Sequence, residues 1–132
     1  MSIEWKYKID LKDKKVFSEI EKERKIKIPE DLKKIIIEGN AATPNNYKVM
    51  MGSDERVVGA ILSFNKDDKD VDTVFTALEV VTDKDLLPFG IDSFGNYFCY
   101  DLSKEKVVFW DHETGESYHS EYGIDEFLAA LY

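Results

Sequence analysis

Residues 86 to 112 constrain the chain more than any other stretch. Leu86-Leu87-Pro88-Phe89-Gly90-Ile91 is an unbroken apolar run, and Asp92-Ser93-Phe94-Gly95-Asn96 has the residue types of a reversal. Tyr97-Phe98-Cys99-Tyr100-Asp101-Leu102, which follows, is aromatic and β-prone. Ser103-Lys104-Glu105-Lys106 turns the chain again before Val107-Val108-Phe109-Trp110-Asp111-His112. Two apolar runs joined by a short polar connection have the pattern of a β-hairpin, so the stretch predicts a meander of two or three short antiparallel strands. Pro88 has no N–H to give to a ladder and is expected at a sheet edge or a strand end. Gly95 and Asn96 tolerate the positive φ that the reversal needs.

Around this centre the period of the apolar residues changes. Ile3 to Ile9 alternates apolar with charged residues, as a short edge strand or extended arm would. Asp10-Leu11-Lys12-Asp13 can start a helix in which Val16, Phe17 and Ile20 share a face, running to about Lys25. Pro29 opens a second helix, with Glu30 and Asp31 at its positive end, Leu32, Ile35 and Ile36 spaced for burial, and Gly39-Asn40 as its stop. Residues 47–51 and 56–64 read as a hairpin across Gly52-Ser53-Asp54-Glu55, followed by the polar loop Asn65 to Asp70. Val71, Val74, Phe75 and Leu78 fit a short crossing helix, though the β-branched residues among them suit a strand as well. Ser117 to Ser120 suits a strand or a loop, and Ile124, Phe127, Leu128 and Leu131 form the stripe of a closing helix. The fold class expected is α+β, a mostly antiparallel sheet of hairpin plus meander packed by helices. With 132 residues, no internal repeat and no linker-like tract, one domain over 1–132 is expected.

Charge is divided unevenly. Residues 1–40 hold 11 Lys/Arg against 9 Asp/Glu, whereas residues 41–132 hold 7 against 18. An acidic surface repels nucleic acid and anionic lipid and draws in basic partners, so neither direct nucleic-acid binding nor membrane attachment is expected. The charged start of the chain contains no apolar leader core, and no apolar run is long enough to span a bilayer; with one cysteine, these features suggest a reducing, cytoplasmic setting.

Chemistry-bearing patterns are sparse, and the expectation is a protein without enzymatic activity or cofactor. His112 and His119 with Asp111, Glu113 and Glu116 lack the regular spacing of a zinc helix or a calcium loop. Cys99, between Phe98 and Tyr100, reads as a packed thiol more readily than as a nucleophile. Carboxylate pairs such as Asp67-Asp68, Asp83/Asp85 and Glu113/Glu116 are too common in an acidic chain to single out an acid/base couple.

The Leu86-Leu87-Pro88-Phe89-Gly90-x-Asp92-x-x-Gly95-Asn96 motif, the strand ending Tyr100-Asp101-Leu102 and the strand entering Trp110-Asp111-His112 resemble the hallmark of the SMI1/KNR4 family of the SUKH superfamily. Ile28-Pro29-Glu30-Asp31-Leu32-Lys33-Lys34, with its Gly39-Asn40 end, is the second point of resemblance. The family's Asn-Gly-Gly-like turn is here Asn40-Ala41-Ala42-Thr43-Pro44, a departure that bears on the turn's backbone. The resemblance spans about residue 28 to the C-terminus. It implies an immunity protein that binds and neutralises a cognate toxin; the acidic surface adds the expectation that the target is a basic C-terminal toxin domain of nuclease type, whose active site is occluded. Its alternative is a regulatory scaffold of the cell-wall and signalling kind. On the first view, loop position and charge nominate Asp67, Asp68, Asp70, Asp72, Glu113, Glu116 and Glu121, with Tyr118 and Tyr122 as aromatic anchors, for the contact face.

Overall fold

A computed structural model describes residues 3–132; Met1 and Ser2, at the head of the stretch read for a leader, lie outside the described residues. Strands β1 (Trp5–Lys6) and β2 (Thr43–Pro44) pair with each other, as do β3 (Lys48–Met51) and β4 (Asp54–Val57). The strands β5 (Ala60–Ile61), β6 (Leu86–Ile91), β7 (Tyr97–Asp101), β8 (Lys106–Trp110) and β9 (Ser117–His119) form an antiparallel meander in that spatial order. Helices α1 (Lys15–Arg24), α2 (Glu30–Gly39), α3 (Val74–Val80) and α4 (Ile124–Ala129) complete the α+β architecture.

Every residue of β6 and β7 is buried, which explains why these strands read as continuous apolar runs and do not alternate. On one face the rings of Phe98 and Phe109 stand 5.4 Å apart, and Phe127 of α4 completes the cluster at 5.6 Å from Phe98 and 5.9 Å from Phe89. Side chains alternate along a strand, so Tyr97, Cys99 and Asp101 point the other way. There α3 packs against β6, and the residues flanking it, Asp72 and Asp83, lie near Tyr97 and Cys99.

Pro88 departs from expectation: it lies in β6, between two neighbouring strands. The ladder with β7 steps from Pro88↔Cys99 to Gly90↔Phe98, so Phe89 is an extra residue in a bulge. β5 pairs only with Gly90 and Ile91, so the missing N–H falls beyond its end, where no ladder partner waits.

Other boundaries shift for identifiable reasons. The alternating N-terminal stretch contributes only Trp5–Lys6 to a strand. α1 begins at Lys15, whose N–H donates to the Asp13 carboxylate at 2.9 Å, and ends at Lys25 in the left-handed region. The second strand of the early hairpin stops at Val57 and resumes only as Ala60–Ile61. Helix wins over strand at α3, where the Thr73 hydroxyl accepts from the Thr76 N–H at 3.3 Å and leaves Val71 outside. Gly39 is needed for space: a Cβ there would stand 2.7 Å from the Trp5 ring. In the departing turn Ala41 takes φ +61° without a glycine.

Candidate partner-binding face

An antiparallel meander places alternate turns at one end, so the β6–β7 turn (92–96) lies beside the β8–β9 turn (111–116). Asp92 organises the first: its Oδ1 accepts the N–H groups of Phe94 and Asn96, each at 2.9 Å, and its Oδ2 accepts the Asn96 amide at 3.0 Å. Gly95 has φ +87°; Asn96 does not share the positive φ and contributes its side chain instead. Its Oδ1 accepts the His112 N–H at 3.0 Å and lies 2.6 Å from His112 Nδ1, joining the two turns. The Asp111 carboxylate accepts the Glu113 N–H at 2.8 Å, and its carbonyl accepts that of Gly115 at 2.8 Å. Both turns are therefore held by their own side chains, with little conformational freedom left to lose on binding.

The two turns themselves carry charge of one sign, while Arg56 of β4 lies beside them over β8, its guanidinium 4.1 Å from the Phe109 ring centroid. From Asp85 to Tyr132 the chain carries ten Asp/Glu and two lysines, Lys104 and Lys106. Lys104 lies in the β7–β8 turn and Lys106 just after it, at the opposite end of the sheet, together with Asp101, Glu105 and Glu121. Asp92, Asp111, Glu113 and Glu116 thus share an end without a lysine or arginine from its own two turns.

The nine nominated residues fall into separate groups. Glu113 and Glu116 are exposed in the β8–β9 turn. Asp72, also exposed, lies beside β5, where its carbonyl accepts the Ser63 N–H at 2.9 Å; burial raises the pKa of Tyr97, and the Asp72 carboxylate adds to the rise. Asp67 and Asp70 are exposed in the loop before α3, among Lys66 and Lys69, and Lys66 bonds Glu19 of α1 at 2.7 Å. Tyr118, on the edge strand, is 44% exposed and donates to Glu116 at 3.1 Å. Tyr122 has a packing role: its hydroxyl donates to the Met50 carbonyl at 2.8 Å and its ring lies 6.3 Å from Phe127. Glu121 is exposed beyond β9, beside the β7–β8 end, as the Val107 N–H bond to the Tyr122 carbonyl shows.

Asp68 faces inward. Its Oδ2 accepts from the Ser63 hydroxyl at 2.6 Å and from the Asn65 amide at 3.1 Å, and Lys12 lies 3.6 Å from its other oxygen. The Ser63 bond, with Asn65 and Lys12, holds its pKa below the usual carboxylate value against the opposing effect of burial. Asn40, fully buried, extends the cluster by accepting the Phe64 N–H at 2.8 Å and donating to the Ile9 carbonyl at 2.9 Å. Asn65 accepts the Lys12 N–H at 2.9 Å and donates to the Asp10 carbonyl at 3.0 Å. The cluster binds residues 9–12 to the body, and Asp68 is part of that fastening.

Elsewhere the side chains offer little for catalysis. Cys99 is fully buried, and burial pushes its thiol far above the ordinary range, so the nucleophilic thiolate does not form near neutral pH. His112 is engaged with Asn96, and His119 stands 3.8 Å from Asp101. Burial acts to raise the Asp101 pKa, but the Ser103 hydroxyl, the Lys104 and Ser103 amides and His119 together hold it below the usual value. Among the described residues no three His, Cys, Asp or Glu gather as a metal would require, and no helix is long and apolar enough to cross a membrane.

Phe94 is an exposed aromatic residue that charge and loop position do not nominate. It is 76% exposed at the tip of the β6–β7 turn, and the available signal was an aromatic residue at a turn position, where side chains face solvent. No curated protein matches the chain with significance. Residues 13–130 match the model of the SMI1 / KNR4 family (SUKH-1), beginning some fifteen residues ahead of the resemblance visible by eye. With the hallmark motif forming β6, the Asp92–Asn96 turn and β7, and a match over nearly the whole length, the chain belongs to the SMI1 / KNR4 family (SUKH-1).

Proposed function

We propose that this protein is an immunity-type binding module that neutralises a toxin encoded beside it by covering the toxin's basic cleft. The observation that carries the reading is the set of carboxylates in two adjoining, self-braced turns, Asp92, Asp111, Glu113 and Glu116, with no lysine or arginine in either turn. A nuclease-type toxin presents cationic groups to phosphates, and a rigid carboxylate-bearing surface competes for the same groups. Family membership supports the reading, since bacterial members of the superfamily are associated with toxin systems. The burial of Cys99 adds to it by closing off the thiol that a small enzyme would have used.

The test is co-production with the C-terminal domain encoded in the adjoining reading frame. That domain is expected to arrest growth alone and to be harmless beside this protein, and Glu113→Lys with Glu116→Lys is expected to weaken the protection. Association should slow as salt rises from low to physiological strength, because steering by exposed charges is screened. Full protection by the charge-reversed variant would contradict the proposed face, and failure of the native protein to protect would contradict the function.

A further inference from the structure

Phe94 differs from every other phenylalanine in the chain. The remaining seven are buried or half-buried, whereas Phe94 is 76% exposed. Its turn is nonetheless braced by hydrogen bonds. The Phe94 N–H is bound at 2.9 Å by Asp92, the Asp92 N–H is bound at 3.0 Å by the Asn96 carbonyl, and Asn96 is tied to His112. The turn therefore holds itself together without the ring. Leaving a phenylalanine in water forfeits the gain of burying it, while presenting it from a rigid turn lowers the entropy lost on docking. Aromatic anchors at the centre of an interface have this form, surrounded by weaker polar contacts that exclude water.

The surroundings determine what can receive the ring. Asp92 lies in its own turn, His112 is tied to that turn through Asn96, Glu113 and Glu116 belong to the adjoining turn, and neither turn contains a lysine or arginine. Two such ends facing each other would repel, which disfavours a second copy of this chain. We infer that Phe94 is the central anchor of the toxin contact, entering an apolar pocket on the toxin rimmed by lysine or arginine. This rests on the function proposed above and adds the residue on which the affinity depends, since the carboxylates chiefly steer and orient.

Titration calorimetry of the purified protein against the adjoining frame's C-terminal domain tests it, with thermal unfolding of each variant alongside. Phe94→Ser is expected to weaken binding by at least about 30-fold with the unfolding midpoint unchanged, and Phe94→Leu, which keeps apolar bulk, by far less. Native binding with Phe94→Ser within about threefold of it would overturn the inference and leave the proposed function standing. Absence of native binding would overturn both. A native dimer that Phe94→Ser dissolves would overturn the inference by assigning the ring to a second copy.

Discussion

Two clusters in this molecule are each built around an aspartate and an asparagine and do opposite work. In the first, Asn40, Ser63, Asn65 and Asp68 are buried or nearly so and bind residues 9–12 to the body. In the second, Asp92, Asn96 and His112 lie at the surface, where they set the shape of two turns and leave Phe94 exposed between them. An aspartate organises each cluster, so residue type does not separate them. The fold does, by deciding whether water can replace a lost partner. A buried amide or carboxylate that loses its partner bears the full desolvation cost, whereas an exposed one exchanges its partner for water.

The contrast breaks most sharply at Asn40. Asn40→Ala removes the partners of the Phe64 N–H and the Ile9 carbonyl in a fully buried site, and is expected to cost about 3 kcal/mol in urea unfolding. A loss under about 1 kcal/mol would mean that water enters the cluster and that the division by burial is wrong.

Acid should sharpen the comparison next. Asp68 has a folded-state pKa below its unfolded value, so its contribution is fully present above the unfolded value and fades as pH falls toward the folded one. Asp101 behaves alike. Unfolding free energy followed downward from pH 6 should stay level and then drop below about pH 4, and Asp68→Asn should flatten part of that drop. An unchanged profile in Asp68→Asn would show that this carboxylate is not held by its partners in the folded state.

The smallest effect belongs to the surface cluster. Asp92→Ala deletes three hydrogen bonds in an exposed turn, and the expected cost is about 1 kcal/mol or less by the same urea measurement. A cost equal to that of Asn40→Ala would erase the distinction between the two clusters.

These examples also show what could be read from sequence. The meander was legible because β6 and β7 are buried on both faces and their turn carries Asp, Gly and Asn where a reversal needs them. The place of Pro88 was not, because it depends on how far β5 extends alongside β6, which no local pattern records. Asp68 looked like one acid in the polar run from Lys66 to Asp70. Only the fold brings Ser63, Asn65 and Lys12 around it, and Asn40 in turn is tied to Ile9 across 31 positions. The acidic loops were found by charge counting, which cannot tell that Glu113 and Glu121 stand at opposite ends of β8 and β9. Phe94 was visible as a turn residue, but its exposure becomes informative only once the other phenylalanines are seen to be enclosed.

Amide hydrogen exchange of the protein, free and bound to the adjoining frame's C-terminal domain, is the most direct measurement of where the partner sits. The account predicts added protection concentrated in residues 92–96 and 111–116, with residues 9–12 and the Asn40 cluster unchanged. Protection centred on α1 and α2, with both sheet-end turns left as they were, would contradict it.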